Sequence, residues 1–323
     1  MKDKILQYLI LKGEATPSEI AESTGFSRQY VQRKLLDLLD QKQLIKIGKP
    51  PLVFYQIIEK PKDQTEENVD EADRQFLEGQ FIEITEDGRL LEGLEAFAYW
   101  CQKRKVPVVK TISEYRQTIE KYNQFVDNDG FINGTEKIKT TKGIDKLHLN
   151  ALYYLDFYAI ERFGKTLMGQ LLHFAKQGQN KKLSLRLIQL SSQKINRLIQ
   201  ILKVDAVGFI PPTIRRDVQF MTMLEKNLQI DVPQIKLIKV KGEIVVPQKA
   251  LSKIEDRILN ARRSIVTSES KKYNRILLID DAVGSGATLN ETAGKLKLKG
   301  VATEVFGVAI TGSYKGFEVI TEA

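Results

Sequence analysis

The apolar positions of this chain follow a helical spacing near its amino end, a strand alternation soon after, and short unbroken runs near its carboxyl end. Ile5 to Lys12 predicts a short helix closed by Gly13. Thr16-Pro17-Ser18-Glu19 has the form of a capping box with proline at the first helical position, so a second helix should run to Thr24-Gly25. Ser27 predicts the N-cap of a longer helix, Arg28 to Gln41, in which Val31, Leu35, Leu38 and Leu39 mark one buried face. Leu44 to Ile47 and Leu52 to Gln56 then read as a hairpin around Gly48-Lys49-Pro50-Pro51. Phe81 to Thr85 alternates like a strand and meets a turn at Glu86-Asp87-Gly88. From Leu90 to about Leu202 helical spacing dominates. Tyr153, Phe157, Ile160 and Phe163 recur within it and read as a helical core or dimer face. Asp127-Asn128-Asp129-Gly130 carries part of a calcium loop without the remaining ligand spacing, and reads as a turn.

Beyond residue 201 the pattern changes to buried-strand runs: Ala206 to Ile210, Ile235 to Val240, Ile276 to Ile279 and Thr303 to Ile310. Helical stretches end near Lys226 and run from about Leu289 to Lys299, and a polar, basic excursion covers Gly242 to Asn274. Strand, helix, strand, excursion, strand, helix, strand predicts a mostly parallel α/β sheet. The run from Ile276 ends in Asp280-Asp281 and then Ala282-Val283-Gly284-Ser285-Gly286-Ala287-Thr288. Such a loop can aim backbone N–H groups at an anion while the next helix adds positive potential. The acid pair falls at the strand's carboxyl end, where open α/β sheets bind ligands. A phosphate cradle beside two hydroxyl-accepting carboxylates suits a sugar phosphate. A purely structural strand-to-helix turn is the competing reading of the same glycines. The loop lacks the Gly-Lys-Ser/Thr ending of a P-loop and the third glycine of a dinucleotide fingerprint.

Composition narrows the setting. The net charge of +9 points to an anionic partner or a generally basic surface. One cysteine, Cys101, excludes an intrachain disulfide and suits a reducing compartment. With only two histidines, an ordinary Cys/His zinc site is not expected. Ile5 to Leu11 lacks a signal-peptide cleavage pattern, and no run is long enough to span a bilayer, so a cytoplasmic protein is expected. The expected organisation is a DNA-binding module over 1–58, an acidic linker over 59–75, a mainly helical middle region over 76–200 and the α/β domain over 201–323. Residues 1–58 hold nine Lys/Arg against six Asp/Glu, whereas residues 59–75 hold three against seven.

Two resemblances follow. The order of helices and basic hairpin over 1–58 resembles a winged helix-turn-helix. That implies DNA contacts from Ser27, Arg28, Gln29, Gln32 and Arg33 on the third helix and from Lys46 and Lys49 on the wing; protein interaction is the other use of such modules. A modest basic footprint would favour a homodimer. The Asp280 to Thr288 arrangement resembles the phosphoribosyl diphosphate motif of type I phosphoribosyltransferases. Pro247-Gln248, Leu251-Ser252, Arg257 and Asn260 are similar to the loop of ComF-like members. This resemblance implies that Asp280 and Asp281 hold ribose hydroxyls and that Gly284, Ser285, Gly286, Ala287 and Thr288 cradle the 5′-phosphate. It places pyrophosphate near Pro211, Pro212 and Thr213, with Arg215, Arg216, Lys249 and Arg257 assisting and Mg²⁺ held largely by ligand and water oxygens. The two modules together resemble winged-helix purine-operon repressors, which implies a ligand-responsive transcriptional regulator. An active phosphoribosyltransferase in nucleotide salvage and a ComF-like DNA-uptake or DNA-processing factor are the alternatives.

Overall fold

A computed structural model describes residues 2–41, 43–49, 52–57, 69–141, 143–212, 216–240, 258–259 and 264–313. The chain divides into two compact units, residues 1–64 and 65–323. In the first unit, α1 (Lys2–Lys12), β1 (Glu14–Ala15), α2 (Pro17–Thr24), α3 (Arg28–Asp40), β2 (Leu44–Lys49) and β3 (Leu52–Ile57) follow one another. The expected capping box forms in full: Glu19 N–H donates to Thr16 Oγ1, and Thr16 N–H donates to Glu19. Gly25 closes α2 at φ 73°, and Ser27 caps α3. Val31, Leu35 and Leu38 meet Ile5, Leu9, Ile20 and Tyr55 in a small core, with Leu39 half-buried beside it. The three strands pair antiparallel in the order β1-β3-β2. The central turn residues, Pro50 and Pro51, lie outside the described residues.

The second unit opens with α4 (Glu71–Glu78), β4 (Ile82–Ile84), β5 (Leu90–Glu92), α5 (Gly93–Arg104), α6 (Val108–Asn123), β6 (Ile132–Asn133), α7 (Thr135–Thr140) and β7 (Ala151–Phe157). It continues through β8 (Ala159–Ile160), β9 (Gly164–Lys165), α8 (Leu167–Lys176), α9 (Lys181–Leu202), β10 (Ala206–Phe209), α10 (Phe220–Asn227), β11 (Gln234–Ile235), β12 (Leu237–Lys239), β13 (Ile265–Thr267), β14 (Tyr273–Val283), α11 (Ala287–Leu298) and β15 (Ala302–Gly312). Part of the acidic stretch expected as a linker is helical. Asp70 caps α4 through Asp73 N–H, and Arg116 of α6 clamps Asp73 at 2.7 Å. Acids in a first turn complement the helix dipole, which explains how so polar a segment folds.

The main sheet runs β11-β10-β14-β15-β7-β6, parallel throughout except for β6 at its edge. One face carries Leu277, Ile279, Val308 and Ile310 against α8, α9 and α10. The other carries Ile276, Leu278, Val305 and Ala309 against α5, α6 and α11. The aromatic stripe expected to be helical is instead β7 and the β8–β9 hairpin. Ala151 to Phe157 is rich in Tyr and Phe and is packed on both faces, so neither strand alternation nor true helical periodicity marks it. The region over 76–200 is therefore no layer of its own: it contributes the interior strand β7, the edge strand β6 and the covering helices α5, α6, α8 and α9. Ile235 to Val240 also splits, with β11 parallel to β10 and β12 antiparallel to β13.

Tyr154 of β7 sits in a slot floored and roofed by glycine. A Cβ at Gly134 would lie 2.4 Å from the ring, and one at Gly312 would lie 2.3 Å from it. Its buried hydroxyl has no hydrogen-bond partner among the described residues. Asn290 of α11 fastens the approach to β7: its Oδ1 accepts from His148 N–H at 2.7 Å, and its Nδ2 donates to Lys146 O at 2.8 Å.

Candidate functional site

The sheet order contains a topological switch. After β10 the chain crosses by α10 to β11 on one side, and after β14 it crosses by α11 to β15 on the other. Neighbouring strands whose connections depart in opposite directions leave a crevice at their carboxyl ends, the usual ligand position in open α/β sheets. Here the crevice lies between Pro211-Pro212 and Asp280-Asp281. Phe209 is in register with Ile279, and Ile210 N–H donates to Ile279 O at 2.9 Å. Two stretches about seventy residues apart in sequence, each expected to touch the same ligand, are thus adjacent.

β14 continues through the acid pair to Val283, so the carboxylates belong to the strand itself. Successive strand residues point to opposite faces. Asp281 turns toward α8, where Lys176 Nζ sits 2.8 Å from each carboxylate oxygen. Asp280 accepts from Asp281 N–H at 2.8 Å and senses Lys239 of β12 and Lys176. Burial, followed by the Asp281 charge, pushes Asp280 up from 3.8 to about 7. Burial holds Lys239 below its usual range, against the opposing pull of Asp280. Lys176 is thus part of the site, and Lys239 joins it. Neither had a local sequence signal: the Lys176 partner is 105 residues away.

Gly284 and Ser285 bend the chain, and Gly286 takes φ 77° to begin α11. A side chain at Gly286 would be strained by that φ and would strike Ile138 of α7 at 2.7 Å. Ser285 Oγ accepts from Ala287 N–H at 3.4 Å, while no side chain caps the start of α11. Ala287 is buried, and Gly284, Ser285 and Thr288 are half-buried. Arg216 donates to Lys176 O and, at 3.1 Å, to Gln177 Oε1, both at the end of α8. Thr213, Arg215, Lys249 and Arg257 lie outside the described residues, as does most of the basic excursion. A separate apolar groove of about 170 Å³ lies between the β12–β13 ribbon and α11, lined by residues such as Leu237, Ile265 and Leu296.

On the first unit, Arg28, Gln29, Gln32 and Arg33 are exposed along α3, and Lys46 is exposed on β2. Arg33 lies 5.9 Å over the Tyr30 ring. Ser27, expected among the DNA contacts, is engaged as the α3 cap: its Oγ accepts from Tyr30 N–H at 3.3 Å. The Lys49 side chain lies outside the described residues. The Asp127 loop is a turn, with Asp127 Oδ1 accepting from Asp129 and Phe131 N–H. No helix among the described residues is long and apolar enough to cross a membrane. No protein-family model and no curated protein matches the chain.

The raised Asp280 predicts a pH dependence. The folded state holds this proton more tightly than the unfolded chain, so stability falls as pH rises from about 4 to about 7 and is flat above. Asp156, buried and pushed to about 6, acts in the same direction. Asp280→Asn should flatten the fall by about 2 kcal/mol, read from urea midpoints near pH 5 and pH 8. An unchanged slope would mean that the Asp280 carboxylate is well solvated.

Proposed function

We propose that the chain is a DNA-binding regulator whose second unit binds phosphoribosyl diphosphate or a related nucleotide. The observation that carries this reading is the crevice between β10 and β14, with the acid pair on one lip and Pro211-Pro212 on the other. The ribose hydroxyls would be accepted by Asp280 and Asp281, and the 5′-phosphate would lie over the Gly284 to Thr288 turn at the start of α11. The diphosphate would extend toward Pro211 and Pro212. Among the described residues no cluster of three or more His, Cys, Asp or Glu could cage a metal. On this reading Mg²⁺ would arrive with the diphosphate and be held mainly by ligand and water oxygens, where it would neutralise phosphate charge.

Three helices and an antiparallel hairpin, with Arg28, Gln29, Gln32 and Arg33 displayed on α3, support a winged helix-turn-helix reading of the first unit. These side chains have the donors and acceptors to read base edges and phosphates. In a homodimer, a ligand that favours one conformation of the protein shifts DNA affinity by its differential affinity for the two states.

The test is selection from a fragmented genomic DNA pool by the full chain, with and without phosphoribosyl diphosphate and Mg²⁺. An enriched sequence whose recovery changes with the ligand is expected, and it should be lost in Gln29→Ala/Arg33→Ala. No enrichment and no ligand effect would sink the regulator reading. Pyrophosphate release that depends on an added nucleobase would move the assignment to a phosphoribosyltransferase.

A further inference from the structure

The acid pair is not equally available to a ligand. Both Asp281 oxygens are already held by Lys176 Nζ at 2.8 Å, and the two side chains are only 16% and 28% exposed. Lys176 stands in the last turn of α8, where the helix carbonyls favour a cation. Arg216 grips the same helix end through Lys176 O and Gln177 Oε1. That contact places the Arg216 guanidinium beside the end of α8. A ligand diol that engages both acids competes with the ammonium group for Asp281, and weakening the pairing of a partly buried cation is costly. A ligand carrying only a vicinal diol and a 5′-phosphate returns nothing to that cation. A ligand that also carries a diphosphate on the β10 side supplies the missing anion.

We infer that Lys176 is a specificity latch: Asp281 holds it in the free protein, and it transfers to the ligand's diphosphate when the diol engages the acid pair. The latch rests on the phosphoribosyl reading of the crevice and deepens it, because it names the ligand class as a vicinal diol joined to a diphosphate. It also gives Lys176 a role that a structural ion pair lacks, since a structural pair would treat all ribose ligands alike.

The experiment is calorimetric titration of the full chain with Mg²⁺–phosphoribosyl diphosphate and, separately, with ribose 5-phosphate. The proteins are the wild type, Lys176→Met and Lys176→Arg, each checked by thermal melting. Wild type should bind the diphosphate ligand at least about tenfold more tightly than ribose 5-phosphate. Lys176→Met should reduce that ratio at least about tenfold, with ribose 5-phosphate bound as well as before or better. Lys176→Arg should restore part of the ratio, and it carries the measurement if the methionine variant does not fold. Equal weakening of both ligands, or no change in either, overturns the latch and leaves the ribose site standing. If wild type binds neither ligand, the latch and the phosphoribosyl reading fall together.

Discussion

The double substitution Asp280→Asn/Asp281→Asn is expected to weaken Mg²⁺–phosphoribosyl diphosphate binding at least about 100-fold, from the loss of two charged hydrogen-bond acceptors. Its stability should move differently. Asp280 is a desolvated acid beside a second acid, so neutralising it above pH 7 relieves burial and repulsion together. Asp281 is the opposite case, because its removal takes the anion from Lys176. The single variants should therefore separate: Asp280→Asn at least as stable as wild type near pH 8, and Asp281→Asn less stable, both with weakened ligand binding. A binding loss that accompanies a stability gain marks a group kept for function. Titration calorimetry and urea denaturation on the same preparations measure both quantities, and unchanged affinity in the double variant would remove the site.

Gly312→Val is expected to destabilise the second unit by about 3 kcal/mol or more, lowering its melting temperature by roughly 10 °C. A Cβ there would lie 2.3 Å from the Tyr154 ring, and Gly134 blocks retreat on the other side. Tyr154→Phe should be neutral or mildly stabilising, because it removes a buried hydroxyl that has no partner among the described residues. Tyr154→Ala leaves a cavity and is destabilising alone, yet it should absorb much of the cost of Gly312→Val. Additive effects of the two would show that the ring and residue 312 are not in contact.

What the sequence disclosed was mostly local. The Thr16–Glu19 box, the Ser27 cap and the Gly25 stop each need only residues within one helical turn, and all three form as the pattern implies. The four apolar residues before Asp280 marked β14, and the glycines after it marked the turn into α11. Long-range partners stayed hidden. β7 is paired with β15 across some 150 residues, and its aromatic residues imitate helical spacing because both of its faces are covered. The ion pair between Lys176 and Asp281 is likewise set by the crossing of α8 over the sheet, which no window of sequence contains. Half of the candidate site was thus legible as a motif, and the cations that tune it required the fold.

The placement of β7 has a consequence for biosynthesis. As the chain emerges from the ribosome, Ala151 to Phe157 appears long before Ala302 to Gly312, the strand that flanks it. Until then its main-chain groups and aromatic side chains lack their parallel neighbour, and a strand edge in that condition recruits other chains. The sheet can close only once Ala302 to Gly312 has been made, so the second unit cannot complete its fold before that strand emerges. A ribosome stalled before Ala302 would hold an open sheet edge, and its product would be a natural client for chaperones.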